Sequence, residues 1–374
     1  MGEVTARRSV QAISTKDMPA VEYEDVEAGR GTLAPSFTLK KGKSGIRFES
    51  GDVLYGKLRP YLGNRLKPNF RGVAVGDWWV LVPSSVASSF LFSLIQSPMF
   101  VTVANQSSGS KMPRADWKLV GSAAFGIPSL AEQHRIGDFF STLDSLIAAA
   151  ERQETLLRRK KQAYLQLMFP REGETQPRLR FAGFSGGWER RQLREVAVKT
   201  GSGGTPTSSN PRYYGGSIPF LGIGDINGRY VDTTQKTLTE EGVANSAAWI
   251  VPQGAISLAM YASYGKSAIL ARPMATSQAF FNIVFRSNVT RDFVFSRLQC
   301  AESRHEWDAL VSTGTQPNLS GSKLKKWTIG YPSLPEQHHI GEFFKVLDSL
   351  IAAAEERTKA LTALKSVYLQ RMFA

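Results

Sequence analysis

Chemistry at a protein site needs polar side chains at particular spacings, and the strongest candidates in this chain are four histidines, one cysteine and one Gly-Lys-Ser run. His134, His305, His338 and His339 offer no metal-binding spacing with Cys300. "RHEWDAL" opens like a zinc helix with His305-Glu306, but the residue four after the histidine is Ala309. "YGKSA", Tyr264 to Ala268, ends as a phosphate loop ends. The first glycine of such a loop is due at position 260, where Met260 stands, so this is not a P-loop.

"SNPRYYG" carries Asn210-Pro211-Arg212-Tyr213, which resembles the Asn-Pro-Pro-Tyr loop of amino-methyltransferases. The second proline is missing and no Gly-rich cofactor loop follows a strand upstream, so it reads as a turn. No catalytic residue, metal site or cofactor is expected on this chain.

What stands out instead is a repeat. "PSLAEQHRIGDFFSTLDSLIAAAERQETLLRRKKQAYLQLMF" begins at Pro128, and "PSLPEQHHIGEFFKVLDSLIAAAEERTKALTALKSVYLQRMF" begins at Pro332, with 26 identities in 42 ungapped positions. That is an internal duplication. It continues upstream more faintly: "FLFSLIQ" (Phe90 to Gln96) answers "FVFSRLQ" (Phe293 to Gln299), and "GDVLYGKLRPY" from Gly51 answers "GAISLAMYASY" from Gly254. "SSGSKMPR" and "STGTQPN" also correspond, with Pro113 on Pro317.

Each repeated block has a heptad stripe. Ile136, Phe140, Leu143, Ile147, Ala150, Glu154, Leu157, Lys161, Tyr164 and Met168 follow steps of four and three, and Ile340 to Met372 follow the same steps. Such spacing makes a coiled-coil seam, imperfect where Glu154, Lys161, Thr358 and Lys365 interrupt it. A helix from Glu132 to Met168 spans roughly 55 Å. Glu132 and Glu336 sit in the first turn, where the helix dipole favours an acid, and His134 and His338 suit capping or domain contact. Phe139, Leu146, Phe343 and Leu350 lie beside the seam and widen the apolar stripe. Core packing near the domains is one use for them, and docking another protein's helices is the other.

Around the helices, short apolar runs bounded by Gly, Pro and Asn read as strands: "GDVLYGKL", "GVAVGDWWVLVP", "AISLAMY", "SAILAR" and "AFFNIVF". The expected fold is α+β: two mostly β domains separated by two long antiparallel coiled-coil helices, an internal duplication with pseudo-twofold symmetry. The expected segments are 1–127 for the first β domain, 128–169 for its helix, 170–187 for a linker, 188–331 for the second β domain and 332–374 for its helix.

The 374 residues carry a net charge of +14, with pI near 9.8, which favours a polyanion such as nucleic acid. A single cysteine rules out an internal disulfide and fits a reducing, cytoplasmic setting. No secretory signal is visible, and "SSFLFSLIQSPMFVTVAN" is too polar to span a bilayer. Arg, Lys and Tyr among Gly and Asn suit phosphates and base edges, and they cluster twice. Lys57, Arg59, Tyr61, Asn64, Arg65 and Lys67 form the first group; Arg212, Tyr213, Tyr214, Tyr261, Tyr264 and Lys266 form the second. Gln316 and Asn318 could read adenine through their amides, although such residues more often close a turn.

At this point the chain resembles the specificity subunit of type I restriction–modification systems. "EQHRIG" and "EQHHIG" leading into "FF", "LDSLI" and a long helix resemble that family's repeated helical region. "SGGTPTSSNPRYYGG" with "IPFLGIGDI", and "STGTQPNLS", resemble parts of its target recognition domains. The first unit, opening at "MGEV", departs from the pattern in having no counterpart of "SGGTP". The resemblance implies two target recognition domains, each reading one half of a bipartite DNA sequence. It also implies two methyltransferase subunits gripping the helices and restriction subunits that translocate and cut. S-adenosylmethionine, ATP and magnesium would belong to those partners. A duplicated DNA-binding scaffold serving a different methylation or DNA-defence complex is the alternative, and a chain with its own catalytic activity has only "NPRY" in its favour.

Overall fold

The computed structural model describes residues 1–106, 112–312 and 318–373. The chain divides into two compact units: one of Met1–Ala150 with Arg357–Ala374, the other of Glu151–Glu356. This division cuts across the segments expected from sequence, because each unit takes half of each long helix.

In the first unit, β1 (Thr5–Arg8), β2 (Val53–Gly56), β3 (Arg65–Leu66) and β4 (Trp78–Pro83) form an antiparallel sheet in the order β1-β4-β2-β3. Strand β2 is buried on both faces, as its unbroken apolar run requires. A second sheet, of 11–13, 44–48, 72–74 and 20–21 in that order, packs Val21, Phe48 and Ala74 on Leu54, Trp78 and Val80 of the first. The short α1 (Ser88–Leu94) and the 39-residue α2 (Leu130–Met168) follow.

The second unit repeats this plan. Strands β5 (Lys199–Gly201), β6 (Tyr230–Val231), β7 (Ile256–Ala259), β8 (Ser267–Leu270) and β9 (Phe280–Val284) are ordered β5-β9-β7-β8-β6. Its first four strands correspond one to one with β1-β4-β2-β3, and β6 adds a parallel edge. The second sheet again has three matching strands, with 249–251, 274–276 and 220–221 standing where 44–48, 72–74 and 20–21 stand in the first unit. Helices α3 (Asn288–Ser303) and α4 (Leu334–Met372) close the chain. Every apolar run read as a strand in the sequence contains one.

Within each unit the two long-helix segments run antiparallel. In the first, Phe140 stacks near Phe373 and Asp144 meets Lys365; in the second, Phe169 stacks near Phe344 and Lys161 meets Asp348. Ile136, Phe140, Leu143 and Ala150 are buried as the heptads require, as are Ile340, Phe344, Leu347, Ile351 and Ala354. The last turns depart from it. Tyr368 and Met372 are exposed, and Leu369 and Phe373 are buried in their place; in the first copy Leu165 and Phe169 join the core beside Met168, which stays buried. A straight helix drifts about 20° per heptad against a 3.5-residue repeat, so after four heptads the neighbouring residue faces inward.

The repeated "EQH" is explained at the helix starts. Gln133 is buried, accepting from the Ala87 N–H (2.8 Å) and donating to the Pro128 carbonyl (2.9 Å). Gln337 repeats both roles, accepting from Thr290 Oγ1 (3.0 Å) and donating to the Pro332 carbonyl (2.8 Å). His134 and His338 face solvent. Glu132 is exposed, whereas Glu336 is buried under Arg180 (2.7 Å) and Trp188 (3.3 Å), so the 170–187 linker is tied to the second unit rather than loose. Among the described residues no helix is long and apolar enough to cross a membrane.

Candidate nucleic-acid interface

The first basic cluster sits on the loop leaving β2 and on β3. Lys57 begins the loop and pairs with Asp77 (3.4 Å), which also takes Arg114 (3.1 Å). Burial opposes ionisation of Asp77, but the two cations hold its carboxyl below the usual range. Arg59 is exposed, in the left-handed backbone region, and caps a single 3₁₀ turn, Pro60–Leu62. Tyr61 on that turn is 61% exposed, and Lys67 also faces solvent.

Asn64 and Arg65 turn inward, which removes them from the reading surface expected of them. Asn64 lies just before β3 and Arg65 opens it, where the backbone pairs with β2 and both side chains are buried. The Arg65 guanidinium donates to the Gly63 carbonyl (3.2 Å) and to the Gly29 carbonyl, and burial pulls its pKa down to about 10. It braces a loop.

The second cluster lies in two places. Arg212 is exposed on a 3₁₀ turn, Pro211–Tyr213, whose first N–H groups need a cap. Asn210 Oδ1 supplies it, accepting from the Arg212 N–H (3.1 Å). The "NPRY" run is therefore a capped turn, with its asparagine oxygen engaged in the local structure. Tyr213 is half-buried, and Tyr214 donates its hydroxyl to the Pro206 carbonyl (2.8 Å).

Tyr261, Tyr264 and Lys266 lie on the loop leaving β7. Tyr264 donates to Asp308 Oδ1 (3.0 Å), and that bond raises its pKa. Lys266 lines a cavity of about 800 Å³ with Arg158, Lys161, Arg229 and Asp348. Asn318 accepts from Ser312 Oγ (2.9 Å), and Gln316 lies outside the described residues.

Beside the helical seam, Phe139 packs edge-on against Tyr368 at 4.9 Å and Phe343 against Tyr164 at 5.0 Å. Both rings are used within the helix pair. Leu146 and Leu350 remain at the surface, 38% and 46% exposed, at equivalent positions of the two copies.

Two important arginines carry no sequence signal. Buried Arg229 bridges Asp292 (2.9 Å) and Asp348 (3.0 Å), tying the second β domain to α4. Arg304 donates to the carbonyls of Gln166 (2.8 Å), Phe169 (2.9 Å) and Pro170 (2.9 Å), satisfying the open end of α2. Neither belongs to a periodic pattern, so only the fold brings them to their partners. Among the described residues no group of three or more His, Cys, Asp or Glu is placed to hold a metal ion.

The fold and surface thus define a class: a duplicated α+β chain with two basic, tyrosine-bearing β domains on shared long helices. Residues 185–363 match the Type I restriction modification DNA specificity domain. The chain is 28% identical over 177 residues to the type I restriction enzyme MjaIX specificity subunit of Methanocaldococcus jannaschii, covering 46% of this chain and 41% of that one. It thus spans less than half the length of that relative. With the HindI specificity subunit of Haemophilus influenzae it is 23% identical over 411 residues, covering 88% of this chain and 87% of the other. The crystal structure of the type I restriction-modification system S subunit from M. genitalium shares the fold, with a TM-score of 0.62 at 12% identity, over 99% of this chain and 93% of that one. The chain is thus similar to type I specificity subunits in sequence over these spans and in fold.

Proposed function

We propose that this chain is the non-catalytic DNA sequence-specificity subunit of a type I restriction–modification complex. Each β domain reads one half of a bipartite duplex sequence. The long helices act as spacer and as the docking site for two methyltransferase subunits, with Leu146 and Leu350 offering equivalent apolar contacts to two identical partners. Restriction and translocation subunits join that assembly. S-adenosylmethionine, ATP and magnesium act on those partners.

The observation that carries this reading is the pairing of sameness with difference. The two units share one sheet topology and nearly one helix sequence, whereas the loops leaving β2 and β7 read "KLRPYLGNR" and "MYASYGKS". Identical helices suit identical partners, and different loops suit different bases. The basic surplus of the chain supplies the sequence-independent attraction to phosphate.

Single-molecule methylation sequencing tests it, comparing cells that express the chain with a methyltransferase subunit to cells lacking the chain. Methylated adenines are expected only with the chain, in a two-part motif with a fixed gap. No chain-dependent methylation, with the methyltransferase intact and co-purifying, would overturn the reading.

A further inference from the structure

Two loops, one in each unit, share an unfavourable backbone shape although their sequences differ. In the first unit the chain leaves β2 at Lys57, whose N–H donates to the Asp77 carbonyl (2.9 Å) and whose carbonyl accepts from the Ala115 N–H (2.8 Å). In the second it leaves β7 at Met260, whose N–H donates to the Ala279 carbonyl (2.8 Å) and whose carbonyl accepts from the Leu319 N–H (2.9 Å). Two residues further on, each chain turns into the left-handed region, at Arg59 (φ 49°) and at Ala262 (φ 55°). Two residues beyond that stands a tyrosine, Tyr61 or Tyr264.

Among the described residues only three other than glycine have positive φ, and these are two of them. A non-glycine residue held there costs on the order of 1–3 kcal/mol. Arg59 also precedes Pro60, which favours an extended conformation for the residue before it. Glycine would remove most of this cost at either position, yet neither loop uses it. The backbone is held in place at Arg59 by its N–H to the Pro113 carbonyl (2.8 Å) and by its own carbonyl, which accepts from the Leu62 N–H (2.9 Å). At Arg59 this backbone shape fixes the direction in which the side chain leaves the loop.

The two tips aim different chemistry. The Arg59 side chain is exposed and pairs with no described residue; the nearby Asp77 carboxylate is taken by Lys57 and Arg114. Its planar guanidinium matches the paired O6 and N7 acceptors on the major-groove edge of guanine. Ala262 presents a methyl group and cannot make that contact. A phosphate contact positions the protein but carries no sequence information, whereas a base-edge contact depends on where the guanidinium points.

Resting on the specificity reading above, we infer that Arg59 reads a guanine in the half-site of the first unit, and that the second unit makes no hydrogen-bonded base contact at the equivalent station, Ala262. Arginine at one tip and alanine at the other make the two half-sites differ at corresponding positions.

The test is selection from a randomised DNA duplex library by the full-length chain, as wild type, Arg59→Ala and Arg59→Gly. Alanine occupies this conformation in the other unit, and glycine accepts it freely, so one variant stands in should the other fold poorly. Wild type is expected to enrich a two-part motif. Each variant should lose discrimination at one G·C pair in one half by roughly 5- to 150-fold, with the other half unchanged. A motif identical to that of wild type, at equal or weaker overall binding, would overturn the base-reading role and leave the specificity reading standing. Enrichment of no motif by wild type would overturn both.

Discussion

Asp144 and Lys365 form an ion pair of 2.6 Å, and the pair recurs with the helices exchanged, since Lys161 and Asp348 each lie 204 residues from their counterparts. The two lysines are interruptions of the apolar seam. The structure gives each one an aspartate on the opposing helix, so a polar residue at a seam position fixes which residues of the two helices face each other.

Asp144→Asn should therefore destabilise the first unit more than Lys365→Met. Burial holds the Lys365 ammonium below its usual pKa, so losing its carboxylate leaves a poorly hydrated charge, whereas Asp144 is a third exposed and can be rehydrated. The expected loss for Asp144→Asn is about 2 kcal/mol, less than for a fully buried pair, with Lys365→Met near neutral. Denaturant midpoints at constant slope would measure both, and the reverse ranking would contradict the assignment.

Gly137 and Gly341, the glycines of "HRIGDFF" and "HHIGEFF", let the long helices approach α1 and α3 closely. A methyl on Gly137 would collide with the Ser89 hydroxyl and lie 2.5 Å from Ser89 Cβ; one on Gly341 would lie 3.0 Å from Asp292 Cβ. Alanine favours a helix over glycine by about 1 kcal/mol, yet overpacking costs about 1–3 kcal/mol. Gly137→Ala should lower the unfolding midpoint, and Gly341→Ala should do so less. A raised midpoint for Gly137→Ala would show that the contact yields.

Cys300 is buried, with its thiol directed at the Leu165 carbonyl (3.2 Å), and burial pushes its pKa from about 9 up to about 11. Raising the pH from 7 to 9 ionises an ordinary thiol but not this one. Labelling by a thiol reagent in the native state should stay slow across that range and become fast on unfolding. The sign for stability follows: the folded thiol keeps its proton above pH 9 where the unfolded one loses it, so its contribution is present below pH 9 and lost as pH rises through 11. Rapid native labelling at pH 8 would refute this burial.

Much of the architecture is legible because it is repeated. The heptads located the seam, and the apolar runs located the strands, since both report which side chains avoid water. The burial of Arg65 has no sequence signal, because a basic residue among Lys57, Arg59 and Lys67 looks like surface and only the pairing of β3 with β2 places it inside. Phe139 and Phe343 are readable as packed or docking residues, but which of the two is settled only by Tyr368 and Tyr164, which reach them from the opposing helix. Arg229 and Arg304 were invisible, since each acts on residues far away in sequence. The left-handed backbone at Arg59 and Ala262 has no composition signal at all, for neither residue type prefers it.

The boundary between the compact units falls at Ala150 and Glu356, near the middle of α2 and α4. If the helices are the spacer of the proposed function, both can be lengthened there without touching either core. One heptad preserves the facing stripe, because seven residues return the seam to the same side, and adds about 10 Å to each helix, or about three base pairs of duplex. Inserting it into both copies should widen the gap of the methylated two-part motif by about that amount and leave both half-site sequences unchanged. Inserting it into one copy only should put Asp144 and Lys161 out of step with Lys365 and Asp348 and destabilise the chain. The motif determined by methylation sequencing checks both, and an unchanged gap in a stable doubly extended chain would rule out the helices as the ruler.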